Sequence, residues 1–198
     1  LHALSLQILK LLSIELKLPN QQTEEDNTDW FGQRHRYDQP LIPGVLRFQR
    51  YPRGDASKHK NELQAGEHTD FGTITLLFQK DVPGLEMKLK DSNKWIPVPI
   101  IENAVIVNVA GMLTVMTHGL LHSAYHRVIF TSEQEKKDRY SIAYFVQPES
   151  GVKLIDMPSP IIPKERPVSE DVPNDIIELT SDNYLKYRYQ KSLEKNNN

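Results

Sequence analysis

His2, His35, His59, His68, His118, His122 and His126 are the only imidazoles in a chain of 198 residues that contains no cysteine. A transition metal here must therefore rest on imidazole and carboxylate. In His68-Thr69-Asp70 an imidazole and a carboxylate stand two residues apart, so on an extended segment both leave the same face. His126, in the later run Tyr125-His126-Arg127-Val128-Ile129, supplies a third donor. Two imidazoles and one carboxylate, with coordination positions left open, suit a non-haem ferrous ion. A bare His-x-acid pair is weak by itself: seven His among 26 acids yield about one by chance. Its context strengthens it, because the pair precedes the apolar run at 73–78 and so lies at a strand mouth, where barrels place ligands.

A second constellation follows in Asp138-Arg139-Tyr140-Ser141-Ile142. On a strand Arg139 and Ser141 share a face and Tyr140 points away. A buried guanidinium needs an anion and grips a carboxylate through two parallel hydrogen bonds, to which Ser141 adds a donor. A metal at one end and a carboxylate clamp at the other fit a 2-oxo acid cosubstrate. A rival pattern is His118, His122 and His126, four apart, which on a helix would line one face and could hold zinc. Gly119 interrupts that spacing, and no Glu follows His118 or His122 as in His-Glu-x-x-His. The first two are read instead as loop residues or residues behind the ligands.

These side chains need a scaffold. An apolar stripe of Leu1, Leu4, Ile8, Leu11, Ile14 and Leu18 predicts a helix over 1–18, stopped by Pro19-Asn20. Residues 20–44 read as a loop with a short helix and with Trp30, Phe31 and Tyr37 as anchors. Residues 53–66 read as a charged loop. Strands are predicted at 45–51, 73–78, 85–89, 95–98, 104–109, 125–130 and 140–146, with 112–116 a short helix or strand. That spacing suits an antiparallel sandwich or barrel. Residues 148–175 form a Pro-rich extended segment, 180–191 a closing helix capped by Thr180 or Ser181, and the last four residues fray. No repeat and no second core is visible, so residues 1–198 are expected to form one domain. The start without Met suggests that an N-terminal portion is missing.

The ordered set resembles the isopenicillin-N-synthase-like branch of the Fe(II)/2-oxoglutarate-dependent oxygenases. The resemblance rests on Leu46-Arg47-Phe48-Gln49-Arg50-Tyr51-Pro52, His68-Thr69-Asp70-Phe71-Gly72, Pro83-Gly84-Leu85, Trp95-Ile96-Pro97-Val98-Pro99 and Val107-Asn108-Val109. It continues in His126-Arg127-Val128, Arg139-Tyr140-Ser141-Ile142 and the final Tyr184-Leu185 with Arg188. It implies a mainly β fold, a double-stranded β-helix or jelly roll flanked by N- and C-terminal helices. It also implies Fe(II) on His68, Asp70 and His126, and 2-oxoglutarate held by Arg139, Ser141 and Tyr51. Phe145 falls where the family often faces substrate. The implied activity couples decarboxylation of 2-oxoglutarate, with O2 as cosubstrate, to hydroxylation or desaturation of a small molecule. Ala110-Gly111 and His118-Gly119 depart from the family's Gly-Asp and Asn-Gly, at positions that are neither ligands nor clamp.

Two other readings stay open: an oxidase of the same fold that uses no 2-oxo acid, and a jelly-roll binding protein without turnover. Charge narrows the partners. With 24 basic and 26 acidic residues, net −2, no basic excess exists to neutralise nucleic acid. No apolar run reaches the length of a membrane span, so no membrane partner is expected. The absence of cysteine fits a reducing compartment, and a cytoplasmic location is the expectation.

Overall fold

A computed structural model of the chain describes residues 1–19, 30–36, 44–55, 62–154, 157–165 and 179–196. Among the described residues, β-branched and aromatic runs broken by Pro and Gly give eight strands. They are β1 (Gly44–Tyr51), β2 (Leu63–His68), β3 (Ile74–Gln79), β4 (Leu85–Lys88), β5 (Trp95–Pro97), β6 (Ile106–Val109), β7 (His126–Ile129) and β8 (Arg139–Val146). They form two antiparallel four-stranded sheets, ordered β1-β8-β3-β6 and β2-β7-β4-β5. The chain passes repeatedly from one sheet to the other, which is the jelly-roll arrangement. Among the described residues three helices flank them: α1 (His2–Glu15), α2 (Gly111–Met116) and α3 (Ser181–Asn196).

The packed core lies outside the first sheet. Ile74, Leu76, Tyr144 and Val146 turn outward from β3 and β8. They meet Leu9 of α1, Trp30 and Phe31, and Met112, Leu113 and Met116 of α2. The alternate residues of the same strands face the second sheet across a cavity of about 340 Å3. Alternation thus separates a layer that holds the fold together from a layer available for chemistry.

Two local readings are corrected. The buried side of α1 is Ser5, Leu9 and Ser13, whereas Leu1, Leu4, Leu11 and Ile14 of the predicted stripe are exposed. Ser5 and Ser13 can be buried because their hydroxyls donate to His2 O and Leu9 O within the helix. Residues 63–66, the end of the expected loop 53–66, belong instead to β2 (Leu63–His68). Its register against β7 shifts on either side of Ala65, and bulged Leu63-Gln64-Ala65-Gly66-Glu67 carries little β-propensity.

The remaining elements follow the expected pattern. Residues 112–116 are helical within α2, which ends at His118 (φ 50°) and Gly119 (φ 79°). The Gly119 N–H returns to Thr114 O at 2.9 Å, a left-handed helix end. Thr180 Oγ1 accepts the Asn183 N–H at 3.3 Å and so caps α3, which runs on to Asn196. Gly32–Arg34 forms a short 3-10 turn within the anticipated loop, and the rest of 20–44, including Tyr37, lies largely outside the described residues. Of the Pro-rich segment, 155–156 and 166–175 lie outside them, and the described part has turns and one bridge, Lys153 to Thr180. The last two residues also lie outside. Arg127 pairs with Glu86 at 2.7 Å and stacks on Trp95. No helix among the described residues is long and apolar enough to cross a membrane.

The β1–β8 rung that carries Tyr51 and Arg139 is closed by Asp138. Its carboxylate accepts the Arg53 N–H at 2.8 Å, Arg50 Nε at 2.7 Å and the Tyr140 hydroxyl at 3.1 Å. These donors hold its pKa at about 2, below the usual 3.8. A depressed folded-state pKa gives stability that is present above the ordinary value and lost as pH falls toward the depressed one. Asp138→Asn therefore lowers Tm at pH 7, and the difference from wild type closes between about pH 4 and pH 2. Thermal unfolding across that range checks it.

Candidate metal centre

All seven side chains singled out for chemistry, Tyr51, His68, Asp70, His126, Arg139, Ser141 and Phe145, line the cavity between the sheets. His68 ends β2 and His126 opens β7, and the register sets them directly opposite each other, with ring centroids 4.3 Å apart. Asp70 follows on the loop into β3. Its Oδ1 lies 3.9 Å from His68 Nε2 and 3.6 Å from His126 Nε2. Among the described residues these three form the only group of such donors that converges, all within 4.8 Å of one another.

Their neighbours aim them. His68 Nδ1 donates to Gly66 O at 2.7 Å, and His126 Nδ1 donates to Ala124 O at 3.1 Å. A carbonyl can only accept, so Nδ1 carries the proton in each ring and Nε2 turns a lone pair toward the other donors. Burial, then the neighbouring His126, pushes the His68 pKa down and favours the neutral ring. On Asp70 one oxygen is already engaged: Oδ2 accepts Thr75 Oγ1 and Asn108 Nδ2, each at 2.7 Å. Thr75 and Asn108 are register partners on β3 and β6, so the sheet itself holds the carboxylate. Oδ1 is left facing the imidazoles. Two lone pairs and one carboxylate oxygen on one side, open space on the other, fit a divalent cation that keeps exchangeable positions. Outer partners of this kind are worth about 10–100-fold in metal affinity. Asn108→Ala is expected to weaken Fe(II) binding in that range while the fold persists, as measured by anaerobic titration beside circular dichroism.

The C-terminal helix buttresses the loop that carries Asp70. Buried Arg188 donates to Thr69 Oγ1 at 2.7 Å, and its guanidinium lies 4.6 Å from the Phe71 ring centroid. Gly111 N–H holds Asp70 O at 2.8 Å. A Cβ on Gly111 would press into the Tyr184 hydroxyl and Arg188 Nη1. Gly111→Ala is expected to cost about 1–3 kcal/mol through overpacking, read as a lower denaturation midpoint.

At the far end of the cavity Arg139 is 1% exposed. Its Nη2 donates to Gln79 Oε1 at 2.9 Å, while Nε and Nη1 are buried with no hydrogen-bond partner. Burial pushes its pKa down, the mark of a cation that lacks an anion beside it. Buried donors of this kind suit an incoming carboxylate. Ser141 Oγ donates to Gln49 Oε1 at 3.3 Å, Gln49 Nε2 donates to the Tyr51 hydroxyl at 3.1 Å, and Arg139 lies 5.1 Å from the Tyr51 ring centroid. Burial raises the Tyr51 pKa, so its hydroxyl keeps its proton.

The helical zinc pattern is not formed. His118 sits in the turn after α2, with Nδ1 on Pro163 O at 2.7 Å, and His126 is on a strand. His122 lines the cavity without joining the cluster. Thr75, Asn108, Gln49 and Gln79 escaped the sequence reading. Asn108 had a visible signal: one amide inside the apolar run 104–109.

Comparison with known proteins agrees with this geometry. A family profile described as the 2OG-Fe(II) oxygenase superfamily matches residues 43–148. A probable 2-oxoglutarate-dependent dioxygenase, AOP1 of Arabidopsis thaliana, is 44% identical over 108 residues, covering 54% of this chain and 34% of that protein. A 1-aminocyclopropane-1-carboxylate oxidase of Dictyostelium discoideum is 32% identical over 169 residues, covering 73% and 43%. Among solved structures, a full-length Neurospora crassa protein in complex with alpha-KG superposes with a TM-score of 0.75 at 27% identity, covering 94% of this chain and 53% of that one. The chain thus spans about a third to a half of the length of these relatives.

Proposed function

The chain belongs to the 2OG-Fe(II) oxygenase superfamily, and from that premise we propose that it couples oxidative decarboxylation of 2-oxoglutarate to hydroxylation or desaturation of a small-molecule substrate. His68, Asp70 and His126 hold Fe(II) in this reading. Arg139 and Ser141 hold the distal carboxylate of 2-oxoglutarate, Tyr51 hydrogen-bonds the cosubstrate, and Phe145 faces the substrate. The observation that carries it is one cavity with a His-Asp-His cluster and, elsewhere in its wall, a buried guanidinium with two unpartnered nitrogens. When bound, the iron and 2-oxoglutarate supply the oxidation, consuming O2, releasing carbon dioxide and succinate, and oxidising a substrate C–H bond.

The chain's own share is ligation, orientation and exclusion of water. Gly66 O and Ala124 O keep the protons of His68 and His126 on Nδ1. Thr75 and Asn108 hold Asp70 so that one oxygen remains for the metal. Gln49 ties the Ser141 and Tyr51 hydroxyls into one donor array beside Arg139. Leu77, Leu85, Met87 and Val98 keep the walls apolar. The same proposal takes residues 1–198 as one domain and the cytoplasm as the location, on the cysteine-free composition.

Anaerobic addition of Fe(II) and 2-oxoglutarate tests the reading. The expected result is a weak visible charge-transfer band, and on admission of air, succinate release. Absence of the band would remove the cosubstrate assignment. A second reading, an oxidase without a 2-oxo acid, draws support from the oxidase relative of Dictyostelium discoideum. It requires O2 uptake without succinate.

A further inference from the structure

Two paired strands of the cavity wall, β1 and β8, form a ladder. Tyr51 pairs with Arg139, Gln49 with Ser141, Arg47 with Ala143 and Val45 with Phe145. The first two rungs form the polar end described above. Arg47 projects into the same cavity as Gln49 and Tyr51, by the two-residue period of the strand. It stands four residues from Tyr51, about 13 Å of strand. Thr75, which holds the metal-facing Asp70, is the register partner of Phe145 on the other side of β8. Arg47 therefore stands between the two ends, one rung from the clamp residues Gln49 and Ser141 and one rung from the Phe145–Thr75 pair beside the metal cluster, and its guanidinium leans toward Phe145.

Arg47 is an exposed residue at the cavity's edge, and its charge has no counterpart among the described residues. Arg47 makes no ion pair with any of them, and its guanidinium lies 5.3 Å from the Phe145 ring centroid. Charge balance then says what is missing. With the site loaded as proposed above, the two charges of Fe(II) and that of Arg139 are cancelled by Asp70 and the two carboxylates of 2-oxoglutarate. Arg47 leaves one positive charge over. Leu77 shares its rung through Ala143, and Met87 and Val107 add apolar lining elsewhere in the cavity.

We propose that the substrate is a small monocarboxylic acid whose carboxylate pairs with Arg47 and whose apolar body lies along Phe145 toward the metal. One guanidinium fork matches one carboxylate. The cavity of about 340 Å3 must also hold the cosubstrate, which limits the body to a compact group. This inference rests on the oxygenase reading of the site. It goes further by naming the charge and the anchoring residue of the molecule oxidised.

The test uses the whole chain with Fe(II) and saturating 2-oxoglutarate. The probes are acid and amide pairs of one shape: 3-phenylpropionate with 3-phenylpropanamide, 4-phenylbutyrate with its amide, and hexanoate with hexanamide. Perturbation of the visible band under anaerobic conditions gives affinity, and succinate release in air gives turnover. At least one acid is expected to bind about tenfold or more tightly than its amide, as a charged hydrogen bond requires. In Arg47→Gln that preference falls to within threefold, while the half-saturating concentration of 2-oxoglutarate stays within threefold of wild type. Arg47→Lys retains part of the preference.

Three results overturn the proposal: no acid in the panel preferred over its amide, binding of neither included; the same preference in Arg47→Gln; or a loss of 2-oxoglutarate affinity in that variant as large as in Arg139→Ala. Failure of the oxygenase reading is distinct, because the band would then be missing before any probe is added.

Discussion

Asp70→Ala is expected to abolish Fe(II) binding and 2-oxoglutarate turnover together. The carboxylate is the one anionic donor of the cluster, and its two oxygens divide the work: Oδ2 is taken by Thr75 and Asn108, Oδ1 faces both imidazoles. Removing it leaves two neutral nitrogens to hold a dication and strands two donors that the sheet had aimed at it. Loss of an outer partner alone costs about 10–100-fold, so loss of the ligand should exceed ~100-fold in metal affinity. Asp70→Asn keeps the shape and the hydrogen-bonding capacity of one oxygen but not the charge. It should retain the fold and lose most of the affinity. Iron content after anaerobic loading and succinate release check both variants. Full turnover in Asp70→Ala would remove Asp70 from the metal centre.

Arg139→Ala should spare the metal and lose the cosubstrate. Truncating one member of a buried, hydrogen-bonded charge pair costs about 2–5 kcal/mol, or roughly 30-fold to over 1,000-fold in affinity. Fe(II) affinity without 2-oxoglutarate should stay within a few-fold, since the guanidinium touches Gln79 and Tyr51 but none of the metal-facing residues. A thermal readout separates this from damage to the fold. A ligand at 100 times its Kd stabilises its protein by about 2.7 kcal/mol. Wild type should show that rise in Tm on adding 2-oxoglutarate, and the variant should show none at the same concentration. An equal rise in both would take Arg139 out of the clamp.

What could be read without coordinates was what is local or chemically conspicuous. His68 and Asp70 are neighbours in sequence, and a strand's two-residue period is enough to bring them together. Arg139 stood out as a charge at the head of an apolar strand. The strands β1, β3, β4 and β8 carry clear alternation or β-rich runs. Other features depend on register. Nothing in the order of residues says that Thr75 lies opposite Asn108, or that both point at one carboxylate oxygen. β2 escaped because a bulged strand carrying Gly66 and Glu67 looks like a loop until its partner is known. The face of α1 was misjudged because buried serines satisfy themselves inside the helix. A hydrophobicity pattern counts them as exposed.

The location of the packed layer has an evolutionary consequence. Cohesion comes from α1, α2 and the outer side of the first sheet, so the interior lining is under little obligation to fill space. Exchanging Leu77, Met87 or Val98 for larger or smaller residues alters which molecules are admitted without dismantling what keeps the chain folded. Such a scaffold can acquire new chemistries by drift in its lining while its melting behaviour scarcely changes.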